Sequence, residues 1–171
     1  NMPADLNSLL ALKLDGRSIA DQIAEQTGII GEKLELSFYG KLEAEDAIAY
    51  IHPGNKLATI VGFKKPADMQ VKKDVAMQVA AMDPISIDKN DVPESVIAHE
   101  LEIGKEKARE EGKPENMLEK IAQGRLNKFF QESTLMNQAF IKEAKQTVKA
   151  YIQSNDKDLT VTGFVRYTLN D

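Results

Sequence analysis

The spacing of apolar residues in the first quarter of the chain predicts two helices followed by a strand. Residues 5–14 and 18–28 carry apolar residues at helical spacing. Ser18 is a good N-terminal cap for the second helix, and Gly28 is a good residue to end it. Residues 34–42 alternate apolar and polar side chains, which predicts a strand with one buried face.

The pattern after residue 43 predicts more short strands and one further helix. Residues 47–51 and 57–63 flank the turn sequence His-Pro-Gly-Asn and should pair as a hairpin. Near the C-terminus, residues 135–141 read as a strand and residues 145–155 as a helix. Residues 161–167 are apolar at both parities, which predicts a central strand.

A charged helical hairpin is predicted between these two parts of the chain, over residues 92–131. Gly112 should end its first helix and Pro114 should lie in the first turn of its second. Arg125 lies on the apolar stripe of the second helix, and we expect it to pair with a glutamate of the first. The apolar seam of the first helix is narrow and faces a stripe on the second: Ile97, Leu101, Gly104 and Ala108 against Leu118, Ile121, Ala122, Leu126 and Phe129. The predicted fold class is α+β, with antiparallel sheets flanked by helices and an inserted antiparallel coiled-coil hairpin.

The helix predicted over residues 70–82 is apolar around most of its circumference, yet it carries an amide on its most apolar side. Gln78 projects beside the stripe formed by Val71, Val75, Val79 and Met82. Two explanations remain open for this amide. It is either satisfied by hydrogen bonds inside its own subdomain, or it lies on a surface that a partner covers.

Composition and motifs give no indication of catalysis. The chain has 171 residues, no cysteine and a net charge of −5, which disfavours a thiolate nucleophile, a Cys-ligated zinc and nonspecific nucleic-acid binding. The two histidines, His52 in the hairpin turn and His99 on the charged hairpin, lack a recognisable catalytic partner. The sequence GIIGEK lacks the spacing of a phosphate-binding loop, and DKNDVPES lacks the glycine and glutamate of a calcium loop. We therefore expect no enzyme activity, no cofactor and no metal.

Several motifs in sequence order resemble those of bacterial elongation factor Ts, the family of nucleotide exchange factors for the translational GTPase elongation factor Tu. The motifs are TGIIGEKLEL, HPGNK, AMQVAAMDP, GKPENMLEKIAQGRLNKFF and GFVRY. Together they extend the resemblance over residues 5–169.

The resemblance implies a division into two α/β subdomains and an arm. Residues 1–43 would be the latter part of the first subdomain, residues 44–91 and 132–171 the second, and residues 92–131 a coiled-coil arm inserted into it. Family members begin with a small helical domain and a TDFV-type motif that disturbs the magnesium site of the GTPase. Neither is in this chain, so the resemblance implies a core fragment that is weak or inactive in exchange by itself.

The resemblance also implies where elongation factor Tu binds. Ile30 and Gly31 would contact its nucleotide-binding domain, and the helix that carries Gln78 and Met82 would contact a β-domain. The family typically has histidine at the position of Gln78. The resemblance implies a cytoplasmic protein that binds neither membranes nor nucleic acid directly. Homodimerisation stays open. It could use the edge of the strand at 34–42, the Gln78 helix or the arm. The alternative function is a dimerisation or scaffold module built around the arm.

Overall fold

The first of two compact units, residues 1–41, is a small helical unit. The computed structural model describes residues 2–169 of the chain, which divides into residues 1–41 and residues 42–171. In the first unit, helix α1 spans Leu6–Ala11, strands β1 and β2 (Lys13–Leu14 and Arg17–Ser18) form a two-residue ribbon, and helix α2 spans Ile19–Ile30.

The start of α2 agrees with the prediction, and its end does not. The Ser18 side chain accepts a hydrogen bond from the backbone N–H of Asp21, as an N-terminal cap should. The helix runs through Gly28 and ends only at Gly31, which has a left-handed φ of 78° and whose N–H donates to the Thr27 carbonyl. Two glycines were available to end the helix, and the later one adopts the required conformation.

The strand predicted over residues 34–42 is wrong, because the structure assigns residues 33–44 to no helix or strand. Leu34 and Phe38, expected on the buried face, are substantially exposed. Alternation of side chains shows which residues share a face, whereas a strand also requires a ladder of hydrogen bonds to a neighbour.

The second unit is built on a three-stranded antiparallel sheet with the order β3-β4-β7. Strands β3 (Asp46–Ile51) and β4 (Leu57–Phe63) form the predicted hairpin, and β7 spans Val161–Thr168. Helix α3, Met69–Met82, covers one face of this sheet. The core between them also takes in residues from the C-terminal segments; its fully or almost fully buried members include Val61, Phe63, Val75, Ala76, Val79, Leu135, Val148 and Ile152.

The central strand among the described residues is β4, not the C-terminal strand as predicted. Strand β7 is covered by α3 on one face, and part of its other face is covered as well. On the face away from α3, Gly62 and Gly163 are register partners. A Cβ on Gly163 would lie 2.6 Å from Leu42 Cδ1, so Leu42 fills the space that these glycines leave.

The remaining segments connect the arm to β7. After a 3₁₀ turn, strands β5 (Ala139–Phe140) and β6 (Glu143–Thr147) form a short ribbon, and helix α6 spans Val148–Asn155. Most of the strand predicted at 135–141 is therefore turn. Helix α6 starts three residues later than predicted, with the Thr147 side chain as its cap.

The inserted hairpin is present, with helices α4 (Glu94–Glu110) and α5 (Glu115–Ser133) packed antiparallel. This confirms the predicted fold class. Gly112 has a left-handed φ of 72° in the turn, and Pro114 is the cap residue just before α5. Arg125 forms the expected ion pair at 2.6 Å, although its partner Glu111 directly follows the last residue of α4.

The two helices of the hairpin approach most closely where small residues face each other. Gly104, Ala108 and Ala122 are buried in the seam. A Cβ added to Gly104 would lie 3.0 Å from the Cα of Ala122 and 3.2 Å from its Cβ. The seam therefore depends on the absence of a side chain at position 104.

We predict that Gly104→Leu separates the helices of the hairpin, because the new side chain would have to occupy space held by Ala122. Overpacking of this kind typically costs about 1–3 kcal/mol. Gly124→Leu is the matched control, since a Cβ at this second helical glycine meets nothing within 4 Å and leucine favours a helix over glycine by roughly 0.8 kcal/mol. Urea unfolding followed by circular dichroism should show a loss for the first variant and none for the second; equal effects would contradict this packing.

Candidate functional site

The side chain of Gln78 is fully buried and its hydrogen-bonding capacity is used inside the unit. Its Nε2 donates to Gln138 Oε1 and to the Ala139 carbonyl, both at 3.1 Å. Its Oε1 accepts from the backbone N–H of Ile141 at 2.9 Å. Of the two explanations left open by the sequence, the internally satisfied amide is the one that describes Gln78 in this structure.

Gln138 is the second member of a buried amide pair. While its Oε1 accepts from Gln78, its Nε2 donates to the carbonyls of Met82 at 3.3 Å and Glu132 at 2.9 Å. Met82 is the last residue of α3, and Glu132 lies in the last turn of α5. The pair therefore joins α3, the end of the arm and the segment that leads into β5.

A groove of about 510 Å³ is lined in part by Gln138. Met82, whose side chain is 44% exposed, contributes to the lining from the end of α3. The end of α5, the segment that leads into β5, and β6 contribute the rest. The lining residues are Met82, Gln131, Glu132, Asn137, Gln138, Ala139, Ala144, Lys145, Gln146 and Thr147.

The end of α3 is held from the sheet side as well. Arg166 on β7 donates from Nε to the Ala80 carbonyl at 3.2 Å, and its guanidinium lies 3.2 Å from the Asp83 carboxylate. Asp83 follows Met82 with a left-handed φ of 42°, and its N–H donates to the Val79 carbonyl. Carbonyls at a helix end lack partners within the helix, so these contacts satisfy groups that would otherwise need water.

A second polar cluster lies near the groove, centred on the buried carboxylate of Asp74. It accepts from Lys142 Nζ at 2.6 Å, Tyr151 Oη at 2.8 Å and Gln70 Nε2 at 2.7 Å. The Tyr151 ring also stacks on Phe140, with centroids 4.1 Å apart. The cluster thereby attaches the β5–β6 turn and α6 to α3.

These contacts shift the pKa values of both acidic groups. Burial acts to raise the pKa of Asp74, but the hydrogen bonds from Lys142, Tyr151 and Gln70 outweigh it and leave the pKa below its ordinary value. Burial and the hydrogen bond to Asp74 both raise the pKa of Tyr151. The carboxylate is therefore ionised and the phenol protonated at neutral pH.

Ile30 and Gly31 belong to the other compact unit. They lie at the C-terminal end of α2, where Ile30 is the last helical residue and is 54% exposed. Within the second unit, the structure thus brings Gln78 and Met82 together around Gln138.

The His52 ring contacts Tyr50, with Nδ1 3.0 Å from the phenolic oxygen. Over residues 2–169, no cluster of His, Cys, Asp and Glu is suited to hold a metal ion. No helix in the same range combines the length and the apolar character needed to cross a membrane.

Comparison with known proteins decides the family. A family model described as Elongation factor TS matches residues 1–171. The chain belongs to the elongation factor Ts family. A relative named Elongation factor Ts from Porphyromonas gingivalis is 48% identical over 169 residues, covering 98% of this chain and 62% of the relative. Relatives of the same name from Azobacteroides pseudotrichonymphae and Amoebophilus asiaticus are 49% and 50% identical, covering 62% and 60% of their own lengths.

The sequence did not predict two residues of this site, Gln138 and Arg166. Gln138 lies 60 residues from Gln78 in the sequence, in a segment predicted to be a strand. Arg166 is an isolated basic residue in an otherwise apolar strand, which is a signal that it has a specific acceptor. Its acceptors at the end of α3 could be identified only from the fold.

We predict that Asp74→Asn lowers the stability of the second unit by about 2 kcal/mol at pH 7, because hydrogen bonds to an ionised carboxylate are stronger than those to an amide. The pKa of Asp74 is lowered on folding. Its stabilisation is therefore complete above the ordinary aspartate value of about 3.9 and is lost as the pH falls through the folded-state value.

Urea unfolding at a series of pH values between about 7 and 2 should show the difference between wild type and variant shrinking on the acid side. Asp158→Asn, at an exposed position of the same unit, is the control and should change little. A difference between wild type and Asp74→Asn that stays constant down to pH 2 would contradict the role assigned to this carboxylate.

Proposed function

We propose that this chain binds elongation factor Tu and serves as the binding core of a guanine nucleotide exchange factor. Membership of the elongation factor Ts family supports the proposal. The observation that carries it is an exposed apolar side chain, Met82, that lines a groove together with the buried, hydrogen-bonded amide of Gln138. The chain spans about 62% of the length of the P. gingivalis relative, so its activity and partner are inferred for these residues alone.

In this proposal Met82 contacts elongation factor Tu directly, whereas Gln78 supports the groove from the interior of the second unit. Met82 is partly exposed, and a flexible thioether adapts well to an apolar partner surface. Gln78 has no exposed surface, so it supports the groove without touching the partner. Ile30 and Gly31, at the exposed end of α2, are proposed as the contact with the nucleotide-binding domain.

An exchange factor of this kind needs no catalytic acid or base. It binds the nucleotide-free GTPase more tightly than the loaded form, and linkage then requires that it weaken nucleotide binding by the same factor. A surface that binds the nucleotide-free and the loaded GTPase equally tightly does not shift the equilibrium between them. Contacts remote from the nucleotide, such as the proposed one at Met82, therefore supply affinity and contribute little to release.

The alternative function, a dimerisation module built around the arm, gains no support from the packing of the arm. The apolar seam of α4 and α5 is closed within a single chain, where Gly104, Ala108, Leu118, Ala122 and Leu126 are buried. The packing of the arm by itself therefore does not favour self-association over binding to elongation factor Tu.

We predict that Met82→Ala weakens binding to nucleotide-free elongation factor Tu by about tenfold, as loss of one apolar contact of 1–2 kcal/mol would do. Met69→Ala is the matched control, because Met69 is the first residue of the same helix and is similarly exposed. Calorimetric titration gives both affinities. Equal losses, or no binding by the unaltered chain, would contradict the proposal.

Stopped-flow release of a fluorescent GDP analogue from elongation factor Tu tests how far this chain by itself accelerates nucleotide exchange. We expect residues 1–171 alone to accelerate GDP release little, because their binding discriminates weakly between loaded and empty GTPase. The same titration with GDP-loaded elongation factor Tu should therefore give nearly the same affinity. Full acceleration by this chain would show that the Met82 and Ile30 surfaces suffice for exchange.

A further inference from the structure

The last turn of α3 is held by side chains from two distant parts of the second unit. Helix-end carbonyls have no partner within the helix, yet the Met82 carbonyl accepts from Gln138 and the Ala80 carbonyl accepts from Arg166. Neither donor is near α3 in sequence. The direction in which the helix ends, and with it the position of Met82, is therefore set by tertiary contacts.

Gln138 connects the Met82 side of the groove with the side formed by the arm. The same Nε2 that donates to Met82 also donates to the Glu132 carbonyl at the end of α5. Met82 and Glu132 both line the groove. A single amide thus links two groove-lining residues that belong to different helices.

The burial of Gln78 and Gln138 prevents either amide from contacting a partner directly. Gln78 and Gln138 are 0% and 1% exposed, so neither presents surface to a partner. Burying two amides in a mainly apolar core is costly unless every donor and acceptor is used, and apolar residues of the same volume would avoid that cost. What the amides add over apolar packing is directionality, because each hydrogen bond requires a defined geometry.

We propose that Gln138 is a positioning residue for partner recognition: it holds Met82 in the place from which Met82 contacts elongation factor Tu. The proposal rests on the function proposed above. In this proposal Gln138 acts on binding only through the end of α3 that carries Met82. Its replacement should therefore matter only when the Met82 side chain is present.

The decisive experiment is a double-mutant cycle for binding, with Gln138→Leu, Met82→Ala and the combined variant. Gln138→Leu introduces an apolar side chain of similar size and removes the two hydrogen bonds that Gln138 donates, together with the one it accepts from Gln78. In the wild-type background it should weaken binding to nucleotide-free elongation factor Tu by about tenfold, the effect of one to two hydrogen bonds. In the Met82→Ala background the loss should be less than about twofold by the same conversion. Equal losses in both backgrounds, or no loss in the wild-type background, would overturn the proposal.

Thr59→Val separates positioning from general stability. The buried Thr59 hydroxyl donates to the Ala76 carbonyl at 3.2 Å, so this variant removes a hydrogen bond from the middle of the same helix, away from its end. It should lower the urea midpoint as Gln138→Leu does, while leaving the affinity for elongation factor Tu unchanged. A parallel loss of affinity would reduce Gln138 to a structural role and overturn the proposal.

Methyl spectra of the free protein test the positional step without any partner. The chain has six methionines, and the Met82 signal can be assigned by its disappearance in Met82→Ala. In Gln138→Leu this signal should shift and sharpen as the side chain gains mobility, whereas Met69 at the other end of α3 should stay unchanged. An unchanged Met82 signal would overturn the proposal. If the unaltered chain does not bind elongation factor Tu, the proposed function and the recognition role of Gln138 both fail, and the methyl spectra still decide whether Gln138 positions Met82.

Discussion

The second unit depends on one buried interaction, the amide pair of Gln78 and Gln138. Between them the two side chains use five hydrogen-bonding contacts, including the one they share. These contacts reach the end of α3, the end of α5 and the backbone around β5. Hydrophobic packing would bring these segments together without specifying their relative placement, because it is not directional. The amides supply the directional part.

Helix α3 is the element on which the other contacts converge. Its apolar side covers the β3-β4-β7 sheet, its amide reaches the connection after the arm, and its carboxylate at Asp74 binds Lys142 and Tyr151. Lys72 on the same helix pairs with Asp46 on β3 at 2.8 Å. The sheet, the β5–β6 ribbon and α6 all pack against this helix. This explains why most of its circumference carries either apolar side chains or polar side chains with hydrogen-bond partners. At the C-terminal end of this helix, Met82 remains partly exposed.

How far the sequence predicts this arrangement depends on how local each determinant is. The 46–63 hairpin and α3 follow from turn chemistry and spacing within a few residues, and so does the fold class. The strand at 34–42 was wrong because pairing depends on a neighbour that spacing does not reveal. The partner of Gln78 could not be predicted, since Gln138 is distant in sequence and has no motif of its own. The resemblance to the elongation factor Ts family correctly named the family, while the proposed contact residues remain to be tested.

A double-mutant cycle on folding stability, with Gln78→Leu, Gln138→Leu and the combined variant, is the most direct test of the central claim. Each single replacement leaves the other buried amide without its partner, a penalty of about 1–3 kcal/mol. The combined variant leaves neither amide facing a lost amide partner, so it avoids part of the penalty that each single variant incurs. The account predicts that the combined variant is less destabilised than the sum of the single variants by about 1 kcal/mol or more. Strictly additive losses in urea unfolding would show that the two amides act independently and would contradict the account.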